Sequence, residues 1–137
     1  MKILYVLRHA KSSWDNESLS DFERPLNDRG ERTAPFVGQV MAERSYVPAT
    51  IVSSPAKRAA STAEMAKGSA GFDTEIRYDD RIYEASPNTL RQVVSELDDA
   101  IDSAMIVGHN PGMEGFVRYL TGEMEPMPTA ALAVIEL

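Results

Sequence analysis

The fold of this chain is decided by residues 1–11, MKILYVLRHAK, where an apolar run stops abruptly at Arg8 and His9. Residues 3–7 are too continuous for a half-exposed strand and too few for an ordinary helix, so they predict a buried central strand of a parallel sheet. Open α/β sheets bind ligands at the carboxyl ends of such strands. We therefore expect Arg8 and His9 to begin an active site, although the pair alone also fits a solvated strand end.

The composition indicates one domain, residues 1–137, that needs neither a metal nor a disulfide to fold. The absence of Cys excludes disulfide scaffolds, Cys-ligated zinc and thiol nucleophiles. A net charge of -7 disfavours nucleic-acid binding, so an anionic ligand requires a local cationic pocket. The first apolar run is too short for a secretory signal or a membrane span, and we expect a cytoplasmic protein without membrane contact.

Further apolar runs predict the rest of the sheet. Residues 50–53 and 104–107 read as buried strands, residues 74–78 as a third extended piece, and residues 131–137 as a last strand. The last strand is expected to pair antiparallel because no crossover helix precedes it. The fold class that follows is α/β: a three-layer α/β/α sandwich with a mostly parallel central sheet and an antiparallel edge strand.

Helix starts are indicated by capping residues. Asn27 predicts one helix start, with Thr33 as a later alternative because of Pro35. Three cap-plus-proline pairs predict the other helix starts: Ser54-Pro55, Ser86-Pro87 and Asn110-Pro111. The polar stretch between residues 11 and 26 is long for a loop in one domain and is expected to be functional.

Basic residues follow three of the predicted strands. Both histidines of the chain, His9 and His109, lie at strand ends, and Arg58 lies in the first turn of the helix after the second strand. Helix N-termini and guanidiniums together favour a dianion, and phosphate is the natural occupant. Nearby positive charge favours neutral, nucleophilic histidine, which indicates phosphoryl transfer. A zinc site with both histidines and a carboxylate is the other option, and the adjacent arginines disfavour it.

The ordered motifs resemble the histidine phosphatase superfamily, which includes phosphoglycerate mutase, and most closely its small SixA-like phosphohistidine phosphatase branch. Arg8-His9-Ala10 is similar to the family's Arg-His-Gly signature, with Ala in place of Gly. The resemblance extends over about residues 3–122. The other matching segments are Ser12 to Asp15, Arg24-Pro25-Leu26 with Gly30, Ser54-Pro55 with Arg58-Ala59 and Thr62-Ala63, and Gly108-His109-Asn110-Pro111.

The resemblance implies a role for each residue that matches the family's site. His9 would attack phosphorus and become phosphorylated, while Arg8, Arg58 and His109 would bind the transferred phosphoryl group. The family places a proton-donating carboxylate in the connection after the third strand, where this chain has Glu84. No metal and no cofactor are expected to take part.

Several polar residues near this site keep alternative roles. Asp15 and Asp21 are rivals of Glu84 as proton donor, and Asp15 is expected either to turn away from phosphate or to pair with Lys11 or Arg24. We expect Ser12, Arg24 and Asn110 to contact substrate, although Arg24 could equally serve only to bridge loop carboxylates.

The function expected from these residues is hydrolysis through a phosphohistidine intermediate. The expected partner is a phosphorylated protein, with phosphohistidine on a signalling protein as the favoured substrate, or a small phosphorylated molecule. The small-molecule phosphomonoesterase is one alternative. A non-catalytic phosphoprotein-binding module is the alternative from another class.

Overall fold

The computed structural model describes residues 1–137, which form five strands and four helices. The strands are β1 (Ile3–Arg8), β2 (Thr50–Ser53), β3 (Ile76–Tyr78), β4 (Ser103–Gly108) and β5 (Leu132–Glu136). The helices are α1 (Asp28–Glu43), α2 (Lys57–Ala70), α3 (Pro87–Ser95) and α4 (Gly112–Thr121). Two short 3₁₀ helices, Asp21–Glu23 and Asp80–Ile82, lie in the connections. None of the helices is long and apolar enough to cross a membrane.

The strands form one sheet in the order β3-β2-β4-β1-β5. The pairs β1–β4, β2–β4 and β2–β3 are parallel, and β5 runs antiparallel to β1 at one edge. This arrangement confirms the predicted α/β sandwich with an antiparallel edge strand. Since β4 lies between β1 and β2, the carboxyl ends of these three strands meet at one edge of the sheet.

The strand residues alternate between two apolar cores, one on each face of the sheet. Leu4 and Val6 point into a core with α3 and α4, whereas Tyr5 and Leu7 point into a core with α1 and α2. A fully buried aliphatic side chain contributes roughly 1.5–3 kcal/mol. Both faces of the central strands are covered, which explains why residues 3–7 read as a continuous apolar run rather than an alternating one.

Helix α1 begins at the earlier of the two predicted starts. The Asn27 side chain accepts a hydrogen bond from the Gly30 amide, and the helix continues through Pro35 instead of beginning at Thr33. Helices α1 and α2 touch closely at Gly38, where an added Cβ would lie 2.2 Å from the Ala66 carbonyl oxygen. Glycine is therefore required here for close packing rather than for its backbone freedom.

The cap-plus-proline prediction is confirmed for α3 and shifted for the other two helices. Ser86 accepts from the Thr89 amide and Pro87 is the first residue of α3. Helix α2 instead begins at Lys57, without a side-chain cap, because the hydroxyl of Ser54 bonds the Ala56 amide and His109.

Helix α4 begins at Gly112, one residue later than predicted. The Asn110 side chain accepts from the Glu114 amide and donates to the Met127 carbonyl, so it links the helix to a later loop. Gly122, with φ of 77°, ends the helix in the left-handed conformation that glycine adopts readily. The third strand is shorter than the predicted stretch, Ile76–Tyr78 instead of residues 74–78.

Candidate active site

Strand register brings the two histidines together. Arg8 on β1 pairs with Gly108 on β4, so the residues that follow, His9 and His109, leave the sheet side by side. Their ring centroids are 5.1 Å apart and both side chains are buried. The predicted convergence of the two histidines is therefore present in the fold.

His9 is held in one tautomer by its own backbone. Its Nδ1 lies 2.7 Å from the Ala10 carbonyl oxygen, which can only accept, so Nδ1 carries the proton and donates. Nε2 is left with a lone pair. Burial lowers the pKa of His9 to about 4, and Arg58, Arg8 and Arg24 act in the same direction. The ring is thus neutral and nucleophilic near neutral pH.

His109 is neutral for a similar reason but is held at its other nitrogen. Its Nε2 lies 2.8 Å from the hydroxyl oxygen of Ser54, and its buried Nδ1 has no hydrogen-bond partner within the protein. Burial, followed by the charge of Arg58, lowers the pKa of His109 to about 3.

Arg8 is fixed by a loop that precedes the last strand. Its Nη1 donates to the Met127 carbonyl oxygen at 2.9 Å, the same carbonyl that Asn110 Nδ2 bonds. The Nε of Arg8 is buried without a partner in the protein. Burial lowers the pKa of Arg8, and Glu114 opposes that change, so the guanidinium remains a cation beside His9.

Asp21 ties Arg58 and Arg24 together. Arg58 donates through Nη1 to the Asp21 carbonyl oxygen (2.6 Å) and through Nη2 to its carboxylate (3.0 Å), and Arg24 Nη1 bonds the other carboxylate oxygen at 3.0 Å. The Tyr83 hydroxyl donates to the same carboxylate at 2.6 Å. These bonds, that of Tyr83 first, lower the pKa of Asp21 to about 2. An acid this strong is ionised at neutral pH, which argues against Asp21 as proton donor.

Arg24 lies in the wall of the site and is also anchored in its loop. Besides Asp21 it bonds the Ser13 carbonyl and, at 2.6 Å, the hydroxyl of Ser12. Its guanidinium carbon lies 3.2 Å from the ring centroid of Trp14, which is 73% exposed. Asp15 is exposed and forms no ion pair with Lys11 or Arg24, so of the two predicted arrangements only the turned-away one is present.

These side chains surround a cavity of about 180 Å³, here called the cationic cavity. It is lined by Arg8, His9, Lys11, Ser12, Trp14, Arg24, Arg58, His109, Asn110 and Thr129. All of the residues predicted to form the site, except Glu84, therefore lie around one space. No group of three or more histidine or carboxylate side chains comes close enough to hold a metal ion.

Glu84 lies beside a second cavity of about 660 Å³, here called the adjoining cavity. The two cavities share Arg58, His109 and Asn110, and Asp21 also borders the second. Glu84 has φ of 54°, a region that residues other than glycine rarely adopt and that is enriched at functional sites. Its exposed carboxylate makes no hydrogen bond or ion pair, whereas Asp15 lies outside both cavities.

Two functional contacts were not predicted from the sequence. Asp21 entered only as a rival proton donor, and nothing in its sequence neighbourhood indicates a bridge to Arg58. Ser54 was predicted as a helix cap and as part of a segment that matches the family, but its contact with His109 was not predicted.

Comparison with known proteins agrees with this architecture. Residues 4–104 match the model of the histidine phosphatase superfamily (branch 1). An uncharacterised protein of Mycobacterium leprae is 30% identical over 96% of this chain and 87% of its own length. An uncharacterised chloroplastic protein of Arabidopsis thaliana is also 30% identical over 97% of this chain, which spans 65% of that protein.

Solved structures show the same fold. A crystal structure from Agrobacterium tumefaciens, assigned as the phosphohistidine phosphatase SixA, is 32% identical with a TM-score of 0.92, covering 98% of this chain and 91% of that one. The protein histidine phosphatase SixA with tungstate, at 20% identity, has a TM-score of 0.86 and covers 96% and 86%.

A three-layer α/β sandwich with two neutral histidines and three arginines around one cavity defines a phosphatase that works through histidine. The chain belongs to the histidine phosphatase superfamily. It is accordingly a metal-independent phosphatase, which sets aside the non-catalytic binding module considered from the sequence.

Proposed function

We propose that this phosphatase removes the phosphoryl group from phosphohistidine on a signalling protein and that His9 is its nucleophile. One observation carries the proposal: neutral His9, with its Nε2 lone pair free, lines a small cavity that also contains three guanidiniums. A cytoplasmic location and a phosphorylated protein as partner are parts of the same proposal.

The reaction proceeds in two displacements at phosphorus. In the first, the His9 Nε2 lone pair forms the new P–N bond while the P–N bond of the substrate breaks and its electron pair leaves with the substrate imidazole. In the second, water attacks phosphorus, the His9 P–N bond breaks and phosphate is released. The water gives up one proton, and Nε2 regains its lone pair.

Arg8, Arg58 and His109 bind the phosphoryl group while it is transferred. Charge spreads over the three equatorial oxygens in the transition state, and donors that are already in place stabilise it without reorganisation. The three side chains line the cationic cavity: Arg8 ends β1, His109 directly follows β4, and Arg58 lies in the first turn of the helix after β2. Each is expected to contribute several kcal/mol to catalysis, on the order of the 2.7–4 kcal/mol known for single oxyanion donors.

The shape of the site supports a side chain of another protein as substrate. The cationic cavity of about 180 Å³ suits a phosphoryl group, and the larger adjoining cavity, of about 660 Å³, has room for a leaving group that belongs to another protein. Arg58 and His109 line both cavities, so the two spaces adjoin at residues that we propose bind the phosphoryl group. Once its ring is protonated, the imidazole of phosphohistidine leaves more easily than an alkoxide, so a proton donor matters less.

Glu84 supports a second candidate, a small-molecule phosphomonoesterase. Its unpaired carboxylate borders the adjoining cavity, where it could protonate the oxygen of an ester leaving group. The two candidates differ in how strongly they depend on this residue, because only the ester requires a general acid.

The test compares kcat/KM for a phosphorylated histidine phosphotransfer domain with kcat/KM for sugar phosphates and phosphoglycerates. We expect the phosphoprotein to be preferred and His9→Ala to abolish turnover. Glu84→Gln should lower turnover less than about tenfold on phosphohistidine and about 10²–10⁴-fold on esters. Glu43→Gln, an exposed change away from both cavities, is the matched control.

The substrate proposal fails if a small ester is strongly preferred, and the nucleophile proposal fails if His9→Ala retains turnover. The ester alternative gains if Glu84→Gln impairs every substrate equally and strongly. Cell fractionation tests the proposed location.

A further inference from the structure

Ser54 lies directly after β2 and is fully buried. Its hydroxyl forms hydrogen bonds with two groups. Its oxygen lies 2.8 Å from His109 Nε2 and accepts from the Ala56 amide at 3.2 Å. The adjacent Ser53, equally buried, donates instead to the Ser54 carbonyl and does not contact His109. The two serines are thus chemically alike but differ in one contact.

The proton count at Ser54 decides which nitrogen of His109 carries hydrogen. The Ala56 amide is always a donor, so the serine oxygen already accepts one bond. The hydroxyl proton then needs an acceptor, and His109 Nε2 is the only one within reach. Donation to Nε2 requires a lone pair there, which leaves the single proton of the neutral ring on Nδ1.

When an anion occupies the cationic cavity and can accept from Nδ1, the opposite tautomer is unfavourable on two counts. A proton on Nε2 would donate to Ser54 and leave the buried hydroxyl proton without an acceptor. It would also leave a lone pair on buried Nδ1, which could offer no hydrogen bond to an anion in a cavity that His109 lines. A phosphoryl group is anionic, so its oxygens require hydrogen-bond donors around them.

We propose that Ser54 is a positioning residue that fixes His109 as the Nδ1–H tautomer and so presents an N–H donor to a phosphoryl oxygen. The inference rests on the proposed use of the cationic cavity for the phosphoryl group. Both histidines then carry their proton on Nδ1 but have opposite roles towards the phosphoryl group. His9 is held at Nδ1 and presents a lone pair, whereas His109 is held at Nε2 and presents a donor.

The tautomer of His109 has to be fixed because its ring is neutral. Burial and the Arg58 charge keep its pKa at about 3, so the ring has one N–H rather than two at neutral pH. A charged imidazolium would present donors from both nitrogens whatever its neighbour. A neutral ring presents the required donor only if its tautomer is set.

The experiment uses the whole protein labelled with ¹⁵N at histidine, without ligand and with inorganic phosphate. We expect the His109 proton on Nδ1 in the wild type, shown by its one-bond ¹H–¹⁵N coupling and by a pyridine-type shift of Nε2. Ser54→Ala should mix the two tautomers in the free protein and weaken inhibition by inorganic phosphate about fivefold. Ser53→Ala should change neither the tautomer nor the inhibition.

A proton on Nε2 in the wild type overturns the inference, and that measurement requires no variant to fold. It is also overturned if Ser54→Ala leaves both the tautomer and the phosphate inhibition unchanged, or if Ser53→Ala shifts the tautomer to the same degree. The proposed substrate is tested separately, since high turnover on phosphohistidine with the proton on Nε2 would refute only the role of Ser54. Nδ1–H with no turnover on phosphohistidine would refute only the substrate.

Discussion

Replacing Asp21 by Asn is expected to loosen the arginine arrangement of the site and to destabilise the whole domain. The Asp21 carboxylate bonds Arg58 and Arg24 at 3.0 Å each and accepts from Tyr83 at 2.6 Å. An amide keeps the size of the side chain and one oxygen acceptor. It removes the negative charge that lies between the two guanidiniums, whose own side chains are about nine-tenths buried.

The size of the effect follows from the pKa of Asp21. A fall from the ordinary value of 3.8 to about 2 corresponds to roughly 2 kcal/mol at 1.36 kcal/mol per pKa unit. The side chain of Asp21 is 43% exposed, and solvent screening of its pairs lowers this figure by about half. We therefore expect Asp21→Asn to lower the free energy of unfolding at pH 7 by about 1 kcal/mol.

The pH dependence identifies the source of the loss. Since the pKa of Asp21 is lower in the folded than in the unfolded state, its contribution is complete above about pH 5 and disappears as pH falls through 2. Urea unfolding at pH 7, 5 and 3 measures the difference in free energy of unfolding between wild type and Asp21→Asn. About half of the difference at pH 7 should be lost at pH 3. The effect of His9 cancels in the comparison, whereas the Asp21 charge opposes the lowering of the His109 pKa by burial, so His109 adds a difference of its own near pH 3.

Asp15→Asn is the matched control, because Asp15 lies in the same connection without an ion pair. Equal losses in the two variants would refute the reasoning, as would a difference for Asp21→Asn that stays constant down to pH 3. Inhibition by inorganic phosphate reports the local effect in the same samples. Failure of Asp21→Asn to alter it would show that Arg58 keeps its place without the carboxylate.

The remaining predictions concern the proposed nucleophile, one arginine and two glycines. In the ligand-free protein, NMR titration should place the pKa of His9 near 4, and a midpoint above 6 would contradict the effect of burial and the arginines. Arg58→Lys should lower kcat/KM about 10²-fold, because an ammonium cannot hold two Asp21 oxygens and a phosphoryl group together; a loss below tenfold would contradict this. Gly38→Ala should lower the free energy of unfolding by about 1–3 kcal/mol, whereas Gly68→Ala, a helical position with no atom near the added Cβ, should raise it by about 0.4–1 kcal/mol; the same sign for both in urea titrations would contradict the packing argument.

The sequence predicted the centre of the sheet well because strands β1, β2 and β4 are buried on both faces. Continuous apolar runs such as residues 3–7 and 104–107 are too short for an ordinary helix, and their length therefore favours a buried strand. The antiparallel edge strand was predictable from the missing crossover helix. The strand order was not, because parallel pairing partners far apart in the chain leave no local mark.

Helix starts were less predictable where the capping residue also served the site. Ser86 has no other partner than its helix, and its cap formed as predicted. Ser54 and Asn110 bond His109 and Met127 respectively, and both following helices begin later than their sequences indicate. Local propensity thus failed where long-range polar contacts compete for the same side chain.

The predicted site residues converge because they follow adjacent strands, but what holds each of them lies elsewhere in the chain. Arg8, for instance, is fixed by the Met127 carbonyl and Arg58 by Asp21. No spacing of residues in the sequence predicts either contact. In each case one group of the side chain is bonded by the protein while other donors remain for a ligand. A site built this way loses little conformational entropy when a phosphoryl group binds, since its donors are already ordered. We therefore expect catalysis to depend also on the Met127 carbonyl and on Asp21, which hold Arg8 and Arg58 in place.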